Sequence, residues 1–172
     1  PRFNGGDVVV LGAGDTAFDC ATSALRCGAG RVYVVFRKGF QGIRACREEV
    51  EVAIQEKCEL LPFHSPTAVR IDEKTGKIKS LEVQSNQSSD GEHNGSASIQ
   101  CCAVISAFGS ELSPGPLRDT LSAVCEMDQW GYPVVDPMTQ STSDPSLFVG
   151  GDLGGVTNLT VEAAADGKLA AW

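Results

Sequence analysis

The segment from Asp7 to Ala17, DVVVLGAGDTA, constrains this chain more than any other. A β-branched apolar run leads straight into Gly12-Ala-Gly14-Asp-Thr-Ala17, a G-x-G-x-x-A sequence, and Thr16 to Cys27 then shows helical spacing through Ala17, Cys20, Ala21, Ala24 and Leu25. An apolar run without polar alternation belongs to a strand buried on both faces, the kind found in parallel sheets covered by helices. Each small residue of the turn has a physical task. Gly12 permits the tight turn, Gly14 has no Cβ to keep a pyrophosphate from the backbone, and Ala17 is small enough for close packing of helix on strand. The helix N-terminus offers unpaired N–H groups to the phosphates. Because strand, turn and helix occur in the required order, dinucleotide binding is favoured over a glycine turn that binds nothing.

The alternation continues. Gly28-Ala-Gly30 stops the helix, Arg31 to Phe36 (RVYVVF) reads as a second strand, Arg47 to Lys57 as a second helix with Val50, Ala53 and Ile54 on one face, and Cys58 to Leu61 as a third strand. That is a βαβαβ unit. Ala68 to Ile71 and Ile78 to Gln84 predict a hairpin around the turn-like Asp72-Glu-Lys-Thr-Gly76. Ser85 to Ser98 is rich in Ser, Asn and Gly with almost no apolar residue, and is expected to be a mobile surface loop. Ile99 to Phe108 returns to strand character as one strand, Pro116 to Val124 predicts a short helix, Leu147 to Val149 a strand, and Val161 to Ala171 a helix. The expected fold class is α/β, a Rossmann-like NAD(P)-binding three-layer fold with a β-meander insertion and a C-terminal strand and helix.

The choice of dinucleotide depends on the end of the second strand, about 20 residues past the glycine turn, where NAD-binding units carry an acid for the ribose 2′-hydroxyl. Here the chain has Arg37 and Lys38, and Arg37 to Arg47 (RKGFQGIRACR) holds Arg37, Lys38, Arg44 and Arg47 with no acid among them. In a chain of net charge −8 this basic cluster stands apart. It suits the 2′-phosphate of NADPH; the competing reading is a solvated loop paired with Glu48, Glu49 and Glu51, most of all for Arg47.

A second constellation lies near the C-terminus, where Gly150-Gly-Asp152 and Thr157-Asn158-Leu-Thr160 precede the last helix. Asp152 can accept a hydrogen bond from a ribityl hydroxyl, and the helix N-terminus can stabilise negative charge on a flavin. An ordinary Gly-Asp turn with a capped helix fits the same residues.

Other features exclude more than they assign. The length of 172 residues suits about one domain of ordinary size. No apolar stretch approaches the roughly 18 residues of a membrane span, and the acidic balance is the wrong sign for a nucleic-acid or anionic-membrane partner. Seven cysteines without a C-x-x-C pair suggest neither a disulfide framework nor a zinc ribbon, and imply a reducing compartment. Cys101 and Cys102 are expected to alternate faces of a strand, one buried and one exposed. His64 and His93 have no partners for a triad or a metal site and are assigned to structure. The sequons at Asn86, Asn94 and Asn158 are read as chance. Without a leader segment, and ending at Trp172 within a helical pattern, the chain is expected to be a piece of a longer protein.

Four segments taken together resemble a known family. GAGDTAFDCATSALRCGA (Gly12 to Ala29), VFRKGF with IRA (Val35 to Ala45), VISAFGS (Val104 to Ser110) and GGDLGGVTNLTVEAAADGKLAAW (Gly150 to Trp172) are similar to the NADPH-binding region of dihydropyrimidine dehydrogenases. The broader fold is shared with the small subunit of bacterial glutamate synthase. RKGF and ISAFGS mark the first family off from its relatives.

The resemblance implies an NADPH-dependent oxidoreductase that reduces uracil and thymine to 5,6-dihydropyrimidines. Hydride would pass from NADPH to FAD, with FMN, 4Fe-4S clusters and the pyrimidine site in other domains of a cytoplasmic, homodimeric parent. By position, Ala13, Gly14, Asp15 and Thr16 would contact the dinucleotide phosphates, Arg37, Lys38 and Arg44 the 2′-phosphate region, and Ala107, Phe108 and Gly109 another part of NADPH. Gly151, Asp152, Leu153, Gly154, Gly155, Val156, Thr157, Asn158, Leu159 and Thr160 would line a partial FAD site, those from Asp152 to Asn158 being shared with NADPH. Residues 1–146 would form the NADPH domain and 147–172 an incomplete part of the FAD domain, unable to reduce a pyrimidine alone. The alternatives are a reductase unit of the glutamate synthase small-subunit type and a non-catalytic Rossmann module.

Overall fold

The computed structural model describes residues 2–87, 95–109, 111–155 and 159–172. His93, Val156, Thr157, Asn158 and residues 88–94 of the expected 85–98 loop lie outside the described residues; at its described ends that stretch is strand rather than loop, because Ser85 and Ser96 to Ser98 belong to an antiparallel sheet. The chain divides into two compact units, Pro1–Gly109 and Ser110–Trp172. The division at 146/147 expected above is by cofactor rather than by compactness.

In the first unit, β1 (Val8–Leu11) leads through the glycine turn into α1 (Asp15–Arg26), followed by β2 (Val32–Val35), α2 (Arg47–Gln55) and β3 (Glu59–Leu61). A three-residue 3₁₀ turn, Phe40–Gly42, sits between β2 and α2. These strands form a parallel sheet of order β3-β2-β1-β7, where β7 is Ala103–Ser106. Val8 is in register with Val32 on one side and Ala103 on the other. Strands β4 (His64–Ile71), β5 (Ile78–Ser85) and β6 (Ser96–Gln100) form a separate antiparallel sheet, the expected meander.

The central strand explains the three layers. Along a strand, side chains alternate faces. Val8 and Val10 pack with Ala17, Phe18 and Ala21 of α1 and with Ala53 of α2, while Val9 and Leu11 pack on the other face with Leu81 and Val83 of β5. Helices, parallel sheet and meander are therefore stacked on β1, and DVVVL has no polar position because both its faces are covered. Burying a side chain such as Phe18 contributes about 1.5–3 kcal/mol, so a polar residue there would remove that much of what holds α1 on the sheet. Helix α1 ends at Arg26 and is capped by Cys27, followed by Gly28 at φ +85°. Its buried Thr22 is satisfied by a hydrogen bond from Oγ1 to Phe18 O at 3.2 Å.

Two expectations are corrected. Ile99 to Phe108 is two strands in two sheets: the Cys101 amide still donates to Lys79 O of β5 (3.3 Å), whereas the Cys102 amide donates to Asp7 O beside β1 (2.8 Å). Cys101 is buried and Cys102 exposed, as expected, but they differ because the chain changes sheets between them. Leu147 to Val149 is not a strand either. It contributes one isolated bridge, Ser141 to Phe148, and Phe148 is exposed because no sheet exists there to cover it.

The second unit holds α3 (Pro116–Val124), a 3₁₀ turn at Gly151–Gly154 and α4 (Thr160–Ala170). Of α4 only Asp166 is buried, and its Oδ2 accepts a hydrogen bond from the Gly151 amide at 2.8 Å. That bond ties the 3₁₀ turn to the helix.

Candidate functional site

Parallel strands place their C-terminal ends on one edge of the sheet, and the loops that leave them meet there. In this chain β1 delivers the glycine turn, β2 the basic loop and β7 the Ala107-Phe108-Gly109 segment. They enclose a cleft of ≈ 540 Å³, a usual size for a small-molecule site. Gly12 and Ala13 line it from β1, Phe36, Arg37, Lys38 and Arg44 from beyond β2, and Ala107 and Phe108 from β7.

The glycine turn is built as its residue types require. Gly12 has φ +135°, and a Cβ there would lie 2.2 Å from Ala107 O, so only glycine lets the turn pass the end of β7. A Cβ on Gly14 would meet nothing within 4 Å, which leaves that face of the backbone open to a ligand. No side chain caps α1; the Ala17 amide donates to Gly14 O at 2.9 Å, which leaves the Asp15 and Thr16 amides ahead of it for an anion. Ala17 is fully buried against the sheet, serving packing as expected.

The basic loop is held at both ends. Phe36 and Phe40 meet edge to face with centroids 6.1 Å apart. Asn86 Nδ2 donates to Arg37 O (3.2 Å), and the Phe63 amide donates to Lys38 O (3.2 Å). At the far end the Arg44 and Ala45 amides both donate to Ala13 O, at 2.8 and 3.2 Å. The Asp15 carboxylate accepts from the Cys46 amide at 2.7 Å. Thus the glycine turn itself anchors the loop that carries the cations. Arg37, Lys38 and Arg44 make no ion pair among the described residues, and no carboxylate lines the cleft. Arg47 instead pairs with Glu51 at 2.6 Å, one turn along α2. Glu49 faces α1, where the charge of Asp19 pushes its carboxyl above the ordinary range. Among the described residues, the neighbouring acids on α2 therefore leave the three cleft cations unpaired.

Sequence reasoning overlooked the fourth wall. His64, Ser65 and Pro66, at the start of β4, also line the cleft, because the His64 amide donates to Phe36 O (3.1 Å) and seats the meander beside the end of β2. Nothing in the sequence marks these residues, since the contact depends on how the meander docks.

Of the remaining expected residues, Gly14, Asp15, Thr16 and Ala17 form the turn and the start of α1, and Gly109 ends the first unit at φ +94°. Gly151, Asp152, Leu153, Gly154, Gly155, Leu159 and Thr160 are in the second unit. There Glu162 Oε2 accepts from the Leu159 amide (3.1 Å), so a carboxylate already stands in the first turn of α4. No group of three or more His, Cys, Asp or Glu among the described residues is arranged to hold a metal, and none of the seven cysteines forms a disulfide. No helix among the described residues is long and apolar enough to cross a membrane.

The arrangement has known counterparts. The chain is 31% identical over 98% of its length to a glutamate synthase [NADPH] small chain of Halomonas elongata, covering 37% of that protein. It is 32% identical over 99% of its length to the NADP(+)-dependent formate dehydrogenase subunit beta of Moorella thermoacetica, covering 25% of it. The chain thus spans about a quarter to a third of these relatives. Among solved structures, T. acidophilum thioredoxin reductase superposes with a TM-score of 0.80 over 98% of this chain and 51% of its own, at 22% identity, which shows a shared FAD/NAD(P) Rossmann-type fold. The family model described as pyridine nucleotide-disulphide oxidoreductase matches residues 2–167. A match that runs through both compact units, from β1 into α4, means that this chain belongs to the pyridine nucleotide-disulphide oxidoreductase family.

Proposed function

We propose that this chain is the NADPH-binding part of a flavin-dependent oxidoreductase and presents NADPH for hydride transfer to FAD. The observation that carries this is the cleft at the strand ends, where Gly12 and Ala13 of the glycine turn meet three cations that form no ion pair among the described residues; the open Gly14 backbone and the uncapped start of α1 continue that turn next to the cleft lining. The residues fit the dinucleotide. Gly14 and the first amides of α1 take the pyrophosphate, Arg37, Lys38 and Arg44 take the 2′-phosphate, and Ala107 and Phe108 border the remainder. Hydride transfer is the chemistry of the cofactors, so this chain needs no acid, base or nucleophile and acts by binding and orientation. The residues from Gly151 to Thr160 are the FAD-contacting part, which places the functional boundary near 146/147.

Titration calorimetry with NADPH and NADH, at low and moderate salt, tests this. Charge-assisted hydrogen bonds of about 1.5–3 kcal/mol each favour NADPH by roughly ten- to a thousand-fold, and salt weakens that preference. Arg37→Ala with Lys38→Ala weakens NADPH far more than NADH, leaving only the smaller preference that Arg44 and its neighbours supply. Equal affinities in the unaltered protein, or equal losses for both nucleotides in the variant, overturn the assignment.

For the final electron acceptor, the glutamate synthase small chains among the relatives favour a reductase unit of that type, feeding electrons to a partner subunit or domain. A second reading, reduction of uracil and thymine, is supported by the RKGF and VISAFGS segments, which give the cleft Arg37, Lys38, Ala107 and Phe108. It brings with it FMN, 4Fe-4S clusters and a dimeric cytoplasmic parent. NADPH oxidation by the full-length protein on addition of uracil supports the second reading, and none with uracil or thymine removes it.

A further inference from the structure

We propose that His64 and Ser65 form the second wall of the 2′-phosphate site, and that NADPH binding draws a proton from solvent onto His64 Nε2. This rests on the NADPH reading above and names a residue that selects the phosphate.

His64 Nδ1 lies 2.7 Å from Pro62 O. A carbonyl oxygen only accepts, so Nδ1 carries a hydrogen, and a neutral imidazole of that tautomer has a bare lone pair at Nε2. Such a ring cannot donate to a phosphate oxygen; an imidazolium can. Ser65 is oriented in the complementary way. Asn86 Nδ2 donates both to Arg37 O and to Ser65 Oγ, the latter at 2.9 Å. With its oxygen accepting that bond, the Ser65 hydroxyl hydrogen is free to donate to an anion.

His64 sits half-buried at the head of β4, with its amide bonded to Phe36 O, next to Arg37 in the chain. The charged groups lining the cleft with it are Arg37, Lys38 and Arg44, all cations. Among the described residues no carboxylate lines the cleft to stabilise an imidazolium, and an anionic ligand would supply that partner. A phosphate monoester is close to a dianion above its second pKa of about 6. It supplies the charge, and Nε2–H···O then forms as a charge-assisted bond. The proton comes from the buffer on binding and returns to it on release. NADH lacks the 2′-phosphate and takes up no proton.

The test is calorimetry of the full chain at about pH 8, where the phosphate itself is already deprotonated, in two buffers of different ionisation enthalpy. NADPH binding should show net proton uptake and NADH binding none. His64→Gln should abolish the uptake and weaken NADPH by roughly five- to tenfold with NADH unchanged, and Ser65→Ala should weaken NADPH alone without changing the uptake. Tighter binding of NADPH than NADH with heats independent of buffer overturns this inference and leaves the NADPH reading standing. Equal uptake with both nucleotides also overturns it. Failure of NADPH to bind overturns both.

Discussion

The bond between Asp15 and the Cys46 amide makes a prediction whose sign separates two roles for one carboxylate. Asp15 opens α1 beside the open turn, where a negative charge repels a pyrophosphate, yet its Oδ1 holds the basic loop at 2.7 Å. Asp15→Ala removes both effects, and Asp15→Asn removes the charge while keeping an acceptor oxygen. A surface hydrogen bond to a charged acceptor at a helix terminus is worth about 1 kcal/mol, or a factor of about five in affinity if it is spent positioning Arg44. The charge acts on the pyrophosphate, which NADPH and NADH share, and cancels in the ratio of their affinities. The loop acts on the 2′-phosphate, which they do not share. The NADPH-to-NADH affinity ratio should therefore fall about fivefold in Asp15→Ala and stay unchanged in Asp15→Asn, while both nucleotides bind somewhat tighter to Asp15→Asn. Fivefold is an upper figure, because Ala13 O still holds the Arg44 and Ala45 amides. Titration of the three proteins with both nucleotides measures it. A ratio unaltered in Asp15→Ala would refute a latch, and a ratio reduced equally in Asp15→Asn would show that charge rather than hydrogen bonding sets the loop.

Gly12→Ala should destabilise the first unit by about 2–4 kcal/mol, since φ +135° is strained for any side chain and the new Cβ would meet Ala107 O at 2.2 Å; urea unfolding measures it, and a midpoint like that of the unaltered protein would show that the turn relaxes freely. Burial pushes the Cys58 thiol up to about 11. An acid whose folded pKa lies above its unfolded value, here near 9, stabilises the fold below about pH 9 and loses that contribution as pH rises toward 11. Exposed Cys46 and Cys102 should accordingly be alkylated at pH 8 well before Cys58, as peptide mass spectrometry after a brief iodoacetamide pulse would reveal.

The first unit could be read closely because its signals are local. The β1-turn-α1 segment, the second and third strands and α2 were legible from apolar spacing and glycine placement, which reflect contacts within a few residues. Ile99 to Phe108 misled because apolar strand spacing continues unbroken across Gln100, Cys101 and Cys102, while the hydrogen-bond partners change from β5 to β1. Leu147 to Val149 misled in the opposite way. Three apolar residues have strand propensity, but a strand needs a neighbour, and only Ser141 pairs there.

Residue types and spacing along the chain were enough to place a glycine turn against a helix N-terminus and an acid-free basic segment after β2, since both are contiguous in sequence. Folding then set what those segments face. Asp15 became a tie to Cys46 instead of a group aimed solely at phosphate, and His64 entered the cleft from a sheet packed on the far face of β1. Each of the two outcomes at the cleft depends on elements at least one helix or strand apart meeting in space. Chain spacing carries no record of such meetings, because they are fixed by how layers stack and not by the period of any one element.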